Sequence, residues 1–350
     1  MELLDILNFA VQTGASDVFI IAGMSVAYRR SGEVIRSEGE RLLPPQTNAI
    51  VKQIYELSGR DMTRLQETGD DDFSLSVKDL SRFRVNTFRQ RGAFSAVIRV
   101  VSFELPNPVE CHIPDAVLQL GEARKGMVLI TGPAGSGKST TLACIIDRIN
   151  HTRSGHIITL EDPIEHLHRH DKSIVTQREI SLDTESYVSS IRAALRQSPD
   201  VILLGEMRDY ETIAAAMTAA ETGHLLFSTL HTTGAANTID RIIDVFPANQ
   251  QRQIAVQLSM VLNAVVSQQL VPAIGGGVVP AFEIMTVTPA IRNLIRENKV
   301  HQIDGVILSS AREGMVSMDA SLQSLFREGA ITRDTALAFA SNPEMLEKKL

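Results

Sequence analysis

The sequence has no tryptophan and only two cysteines among its 350 residues. Cys111 and Cys144 are too far apart in the chain to form a C-x-x-C pair. That excludes a zinc ribbon or a CxxC redox motif and fits a reducing compartment. No window approaches the ~18 consecutive apolar residues that mark a membrane span. Positive charge is not in excess: Lys+Arg number 34 against Asp+Glu 41, a net charge of −7, and no polybasic run stands out. Bulk charge therefore gives no support for non-specific nucleic-acid binding. The first residues, Met1-Glu2-Leu3-Leu4-Asp5, are acidic where a signal peptide would be basic. The expectation is a cytoplasmic protein whose membrane link, if it has one, runs through a partner. Internal repeats and low-complexity tracts are lacking as well. What remains is 44% apolar and 21% charged, with length enough for two cores.

Leu3, Leu4, Leu7 and Val11 mark one face of a first helix closing near Gly14. Residues 82–101 read as a β-hairpin: Arg82 to Phe88 alternates, Gln90-Arg91-Gly92 turns, and Phe94 to Ile98 continues. Residues 1–102 are thus expected to form a small α+β domain. Pro106, Pro108 and Pro114 suit neither a helix nor a central strand, which places the linker at 103–115. In residues 116–350 the texture changes. Short apolar strands (Met127–Ile130, Ile157–Leu160, Val201–Leu204, Leu225–Phe227) alternate with helical stretches, the pattern of buried parallel strands in a helix-covered sheet. Helices are expected beyond about 289.

Gly132-Pro133-Ala134-Gly135-Ser136-Gly137-Lys138-Ser139 matches the phosphate loop G-x-x-x-x-G-K-[ST]. Its chemistry requires these residue types. Glycines let backbone N–H groups turn toward phosphate oxygens, Lys138 supplies charge to the β- and γ-phosphates of ATP, and the Ser139 hydroxyl ligates Mg²⁺. A strand enters and a helix beginning near Thr140 leaves, its positive end toward the anion. The strand Asp200 to Leu204 ends in Gly205-Glu206, where such an enzyme needs an acid near its metal. Glu161-Asp162-Pro163-Ile164-Glu165 follows another strand; one of its carboxylates can position the attacking water, and a solvated acidic turn is the competing reading. His224 and His231 bracket the strand Leu225 to Leu230 and can sense the γ-phosphate, or serve as structural histidines. His166, His168 and His170 read as a polar loop.

These blocks, in this order, resemble the secretion ATPases that drive type II secretion and type IV pili, most of all the pilus retraction ATPases, the PilT family. The resemblance runs from Gly14-Ala15-Ser16-Asp17 to the C-terminal helices. Gly205 to Asp209 and Ala219 to His224 look like that family almost letter for letter, and Ala290-Ile291-Arg292-Asn293-Leu294-Ile295-Arg296-Glu297 is identical to the motif marking its retraction members. The resemblance implies an α/β chain: a RecA-like P-loop ATPase domain with a smaller PAS-like N-terminal domain. It implies a homo-hexamer hydrolysing ATP between subunits, docked on an inner-membrane pilus platform protein, and a possible paralogous retraction ATPase as partner. Glu165 is then the water-positioning carboxylate, with Glu161 its rival. Glu206 acts at Mg²⁺, and Arg196 and Arg208 match arginine fingers. Some departures are visible. Ala134 stands where the family's loop usually has Thr, and Val18-Phe19-Ile20 where it has Leu-His-Leu. Gly155 to Thr159 and Ser267 to Pro272 look closer to the accessory retraction ATPase PilU.

Three rival readings remain. A pilus assembly or type II secretion ATPase commonly carries a four-cysteine zinc motif, which this chain does not have. A RecA-like nucleic-acid translocase finds support only in Arg82, Arg84, Arg89, Arg91 and Arg99 of the hairpin. These arginines read instead as contacts to a neighbouring subunit or its nucleotide, or as a solvated sheet face. A binding-only member is opposed by the intact Glu165 and Glu206.

Overall fold

The computed structural model describes residues 2–30, 32–101, 105–311 and 314–350. The first two residues of the expected linker, 103 and 104, lie outside the described residues. The chain divides into two compact units, residues 1–104 with 165–167 and residues 105–164 with 168–350. The three-residue excursion assigns Glu165 to the first unit, whereas the sequence reading kept the whole acidic box in the second.

In the first unit, α1 (Leu3–Gln12) is followed by β1 (Asp17–Ile20), β2 (Ala27–Arg30), β3 (Glu33–Arg36), α2 (Pro44–Ser58), α3 (Thr63–Thr68), β4 (Asp70–Val77), β5 (Ser81–Gln90) and β6 (Ala93–Val101). The strands form one antiparallel sheet in the order β3-β2-β1-β6-β5-β4. Strand alternation sends Val18, Ile20, Phe83, Val85, Ala96 and Ile98 to one face, where they pack with Ile6 and Leu7 of α1 and Ile50 and Ile54 of α2. The buried stripe of α1 is Leu3-Ile6-Leu7-Ala10. Leu4, expected on that stripe, is 45% exposed, because the helical period carries it away from Leu7's face. The expected hairpin is present as β5–β6, its turn made by Arg91 and Gly92, both with positive φ as a two-residue type I′ turn requires. Several hairpin arginines find partners within their own unit. Arg84 pairs with Asp72 at 2.7 Å and Arg99 with Asp17 at 2.9 Å, while Arg89 donates to the Gln66 carbonyl at 3.0 Å.

The second unit begins with α4 (Asp115–Leu118). Then follow β7 (Gly126–Thr131), α5 (Lys138–Thr152), β8 (His156–Glu161), β9 (Ile174–Glu179), α6 (Tyr187–Ala194), β10 (Val201–Leu204), α7 (Tyr210–Glu221), β11 (Leu225–Leu230), α8 (Ala235–Asp244) and α9 (Ala248–Val261). A β12 (Leu262–Pro272) and β13 (Val278–Thr286) hairpin precedes α10 (Pro289–Arg296), α11 (Ile303–Ser309), α12 (Met318–Arg327), α13 (Arg333–Phe339) and α14 (Pro343–Glu347). The sheet order is β13-β12-β7-β11-β10-β8-β9, parallel except where β13 returns along β12. The fold is thus mixed α/β, an N-terminal antiparallel sheet and a C-terminal mostly parallel one. The unbroken apolar runs of the central strands have a simple cause. Met127, Leu129, Ile202 and Leu204 face one core and Val128, Ile130, Val201 and Leu203 the other, so both faces of each strand are covered. The second core includes Leu142, Ile145, Ile146 and Ile149 of α5.

Helix α10 carries the Ala290 to Glu297 motif. The Thr288 hydroxyl caps it by accepting from the Ile291 N–H at 3.3 Å, with Pro289 in the first turn. Ile291 and Ile295 are fully buried and Leu294 is half-buried. The two arginines of the motif differ in their surroundings. Arg296 is exposed, but the Arg292 guanidinium reaches α9 and donates through Nη1 to the Ser259 carbonyl and, at 3.1 Å, to that of Met260. It thereby satisfies orphan carbonyls at the C-terminal end of α9 and places a positive charge there. Arg292→Ala is expected to lower unfolding stability by about 1–3 kcal/mol, and Arg296→Ala by less than about 0.5 kcal/mol. Urea denaturation of the two variants checks this; equal effects would mean that the α9 cap contributes nothing.

Candidate active site

Strand β7 delivers the chain to Gly132 and α5 starts at Lys138, so the loop between them is a strand-to-helix turn. At Gly132 φ is +139°, and a Cβ there would meet the Gln268 carbonyl oxygen at 2.1 Å. Gly137, with φ +86°, would meet the Gln268 side-chain nitrogen at 2.9 Å. The loop is therefore pressed against β12, and only glycine fits where it touches. Gln268 also accepts from the Thr141 hydroxyl at 2.7 Å, tying α5 to β12. Lys138 is 8% exposed, and its ammonium donates to the carbonyls of Gly132 and Pro133, each at 2.8 Å. Ser136 is buried, and among the described residues its hydroxyl has no hydrogen-bond partner. Pro133, Ala134 and Gly135 are exposed at the tip, and Ser139 and Thr140 are half-exposed in the first helical turn.

The parallel register brings the other groups to the same edge. Thr131 of β7 is level with Leu230 of β11, Ser228 of β11 with Leu204 of β10, and Leu204 with Leu160 of β8. Each of these strands is followed by a candidate residue: β7 by the phosphate loop, β11 by His231, β10 by Glu206, while β8 ends in Glu161. The edge is stitched by hydrogen bonds from the Gly205 N–H to the Leu160 carbonyl (2.8 Å) and from the Thr229 hydroxyl to the Gly205 carbonyl (2.6 Å). Ligands of open α/β sheets bind outside the carboxyl ends of the strands, and this is that side.

Glu206 is flanked by an arginine and a histidine. Arg208 approaches its Oε2 at 2.7 Å and His231 Nε2 lies at 3.4 Å from the same oxygen. Glu161 accepts from the Thr159 hydroxyl at 2.6 Å and from the Gln177 amide at 3.3 Å. Arg208 is mostly exposed apart from this pair, and Arg196 is exposed in the turn after α6. Glu165 lies in the segment that groups with the first unit.

His224 is separated from this edge. It precedes β11, and its carbonyl accepts from the N–H of Gly126 at the start of β7. Its ring Nδ1 lies 3.0 Å from the Ala219 carbonyl and 3.1 Å from the Thr222 hydroxyl, at the end of α7. Six strand residues at about 3.3 Å each set it roughly 20 Å from His231. The two histidines bracket the strand as expected, but for that reason only His231 reaches the phosphate-loop edge.

Two groups at this edge escape a sequence reading. Glu179, level with Glu161 in β9, is buried and accepts from the Ile164 N–H at 3.0 Å, holding the acidic turn. Tyr187 opens α6 and lays its phenol over Gly205: a Cβ on that glycine would be 3.0 Å from the phenol oxygen. Burial first, then the carboxylates of Glu206, Asp162 and Glu161, push the phenol pKa up, so it keeps its proton. Gln268 completes the list. The sequence carried no signal for any of the three, because each acts through an approach made only in the folded sheet.

The profile described as "Type II/IV secretion system protein" matches residues 2–278. The chain therefore belongs to the type II/IV secretion ATPase family. It is 44% identical over 344 residues to the type IV pilus retraction ATPase PilT of Pseudomonas aeruginosa, covering 98% of this chain and 99% of that one. It is 49% identical over 337 residues to a twitching motility protein of Neisseria gonorrhoeae, covering 96% and 89%. The crystal structure of the pilus retraction motor PilT with bound ADP superposes with a TM-score of 0.92 at 45% identity, covering 99% of each chain. Within the family the chain is an ATPase of the PilT type, the pilus retraction branch.

Proposed function

We propose that this chain hydrolyses ATP with Mg²⁺ as a homo-hexameric ring and so powers retraction of a type IV pilus, docked on a platform protein of the inner membrane. One observation carries the reading. The phosphate loop, His231, Glu206 and Glu161 stand at the ends of four neighbouring strands, on one edge of one sheet. That is the arrangement phosphoryl transfer requires: a cradle for the β- and γ-phosphates, an acid beside the metal, and groups to place water. The second unit is then RecA-like and the first PAS-like.

The donors present suit Mg²⁺. The Ser139 hydroxyl and the Glu206 carboxylate are hard oxygen ligands, and this ion takes few protein ligands, leaving the rest to phosphate oxygens and water. Among the described residues no group of three or more His, Cys, Asp or Glu could hold a metal by itself, which is compatible with an ion that arrives with the nucleotide. Bound there, Mg²⁺ neutralises charge on the phosphates. Lys138 exchanges its loop carbonyls for phosphate oxygens. Glu165 positions the water, with Glu161 as its rival. Arg196 and Arg208 serve the neighbouring subunit's nucleotide, and for Arg208 this means leaving Glu206. Among the described residues no helix is long and apolar enough to cross a membrane, so a membrane position would come from the platform partner.

Shared sites make the test a mixing experiment. Arg196→Ala and Arg208→Ala should each bind nucleotide and lose turnover, by up to about 10³-fold if they act as arginine fingers. Mixing either variant with Lys138→Ala protein should recover part of the activity, because the two defects can fall in different interfaces. No recovery at any ratio, or full activity in a stable monomer, rules out the ring reading. In cells, a null strain that makes pili and cannot retract them supports retraction; a strain without pili points to assembly.

A further inference from the structure

Strand β12 is apolar where the sheet requires it: Ala264, Val265 and Val266 are fully buried. The next two residues are polar and equally shut away, Ser267 fully buried and Gln268 3% exposed. A buried polar side chain costs stability unless a partner meets it, so packing alone calls for neither. Successive strand residues point to opposite faces, and these two serve different elements. The Ser267 hydroxyl accepts from the Gly234 N–H at 3.0 Å, at the start of α8. Gln268 serves the phosphate loop. Ser267 is level with Thr131, the last residue of β7, so Gln268 lies beside the point where the loop departs. Its backbone carbonyl oxygen is 2.1 Å from the place a Cβ on Gly132 would take, and its side-chain nitrogen is 2.9 Å from the same place on Gly137. Its side-chain oxygen accepts from the Thr141 hydroxyl at 2.7 Å, and the Thr141 N–H in turn donates to the Gly137 carbonyl at 3.0 Å. One residue therefore touches both ends of the loop, and none of these contacts involves an ionisable group.

We propose that Gln268 is a positioning residue for nucleotide binding: its side-chain amide, through Thr141, holds the first turn of α5 against β12 and keeps the phosphate loop at the width that receives phosphate oxygens. The loop's N–H groups converge on one anion only while its two ends keep their separation. A loop fixed before the nucleotide arrives loses less freedom on binding, which strengthens affinity. Bound phosphates then impose the same geometry themselves, so the effect falls on binding rather than on the chemical step. The inference rests on ATP being bound at this loop. It adds a group outside the phosphate loop, the acidic box and the histidines.

Gln268→Met removes the amide and keeps the length of the side chain; Thr141→Val removes the hydroxyl and keeps the shape; Thr141→Ser keeps the hydroxyl. The Kd for Mg-ATP, kcat at saturating Mg-ATP and the melting temperature are measured for each, and for the Gln268→Met, Thr141→Val double variant. Gln268→Met and Thr141→Val should each weaken binding about threefold to tenfold, the worth of one buried hydrogen bond. Their kcat should stay within about threefold of wild type. The double variant should be no weaker than either single one, because both remove the same bond, and Thr141→Ser should bind as wild type does. Ser267→Ala removes a buried hydrogen bond from the other face of the same strand; it should melt lower and bind Mg-ATP within about twofold of wild type. Binding by Gln268→Met within about twofold of wild type overturns the proposal, and if that variant does not fold, Thr141→Val decides by the same measure. Additive losses in the double variant overturn it too, as does a Ser267→Ala protein that binds as weakly as Gln268→Met, since general loosening would then be the cause. A Lys138→Ala control separates the two levels. If that variant still turns over ATP, the site reading itself is wrong; if it is inactive while Gln268→Met binds normally, only the role of Gln268 falls.

Discussion

Lys138→Ala should abolish ATP turnover and leave the chain folded. The ammonium is buried at the start of α5 and held by two carbonyls of its own loop, so it is placed before the nucleotide arrives. A charge preorganised in this way and shielded from water contributes far more to phosphoryl transfer than a mobile surface lysine would. Loss of one such group should cost about 10³-fold or more in kcat. Folding should survive because Pro133 lies at the exposed loop tip, where water can take over its carbonyl. Phosphate release and a fluorescent nucleotide titration, run beside thermal melting, read all three quantities. Turnover within about tenfold of wild type would remove the loop from the chemistry.

Glu206→Gln should keep nucleotide affinity within a few-fold and lose about 10²- to 10³-fold in kcat, the loss seen when one preorganised electrostatic group is removed. Glutamine preserves shape and the acceptor that faces Arg208, so the change isolates the negative charge. The parallel variants Glu165→Gln and Glu161→Gln decide which carboxylate positions the water. Glu161 ends the strand beside Glu206, while Glu165 lies in the segment grouped with the first unit. If Glu165→Gln keeps near-normal turnover and Glu161→Gln does not, the role passes to Glu161. If Glu206→Gln itself keeps normal turnover, the acid after β10 is structural.

His231 and His224 show how far a linear reading carries. Both flank one strand, and the sequence marks them as a pair. The strand's direction relative to its neighbours decides which of the two lies on the working edge, and direction is a property of the sheet. Arg292 and Arg296 make the same point on a helix. The spacing of Ile291 and Ile295 fixes the buried stripe, but the capture of Arg292 by the α9 carbonyls depends on a helix that ends some thirty positions earlier.

What the sequence determined by itself is what is local and contiguous. A phosphate loop has to be eight consecutive residues, because its backbone N–H groups wrap a single anion. A buried parallel strand has to be an unbroken apolar run, because both of its faces are covered. An acid closing such a run falls at the carboxyl edge whatever lies around it. These constraints act along the chain, so the ATPase class, the loop, Glu206 and the hairpin were legible there. The tertiary structure alone decided which residues converge from separate segments. Gln268 presses on Gly132, Glu179 holds the acidic turn, Tyr187 covers Gly205, and His224 lies a strand's length from the site. Hydrogen bonds and close contacts of this kind depend on separations of a few ångströms between elements far apart in sequence. Sheet order and strand direction set those separations, and no local pattern of residue types encodes them.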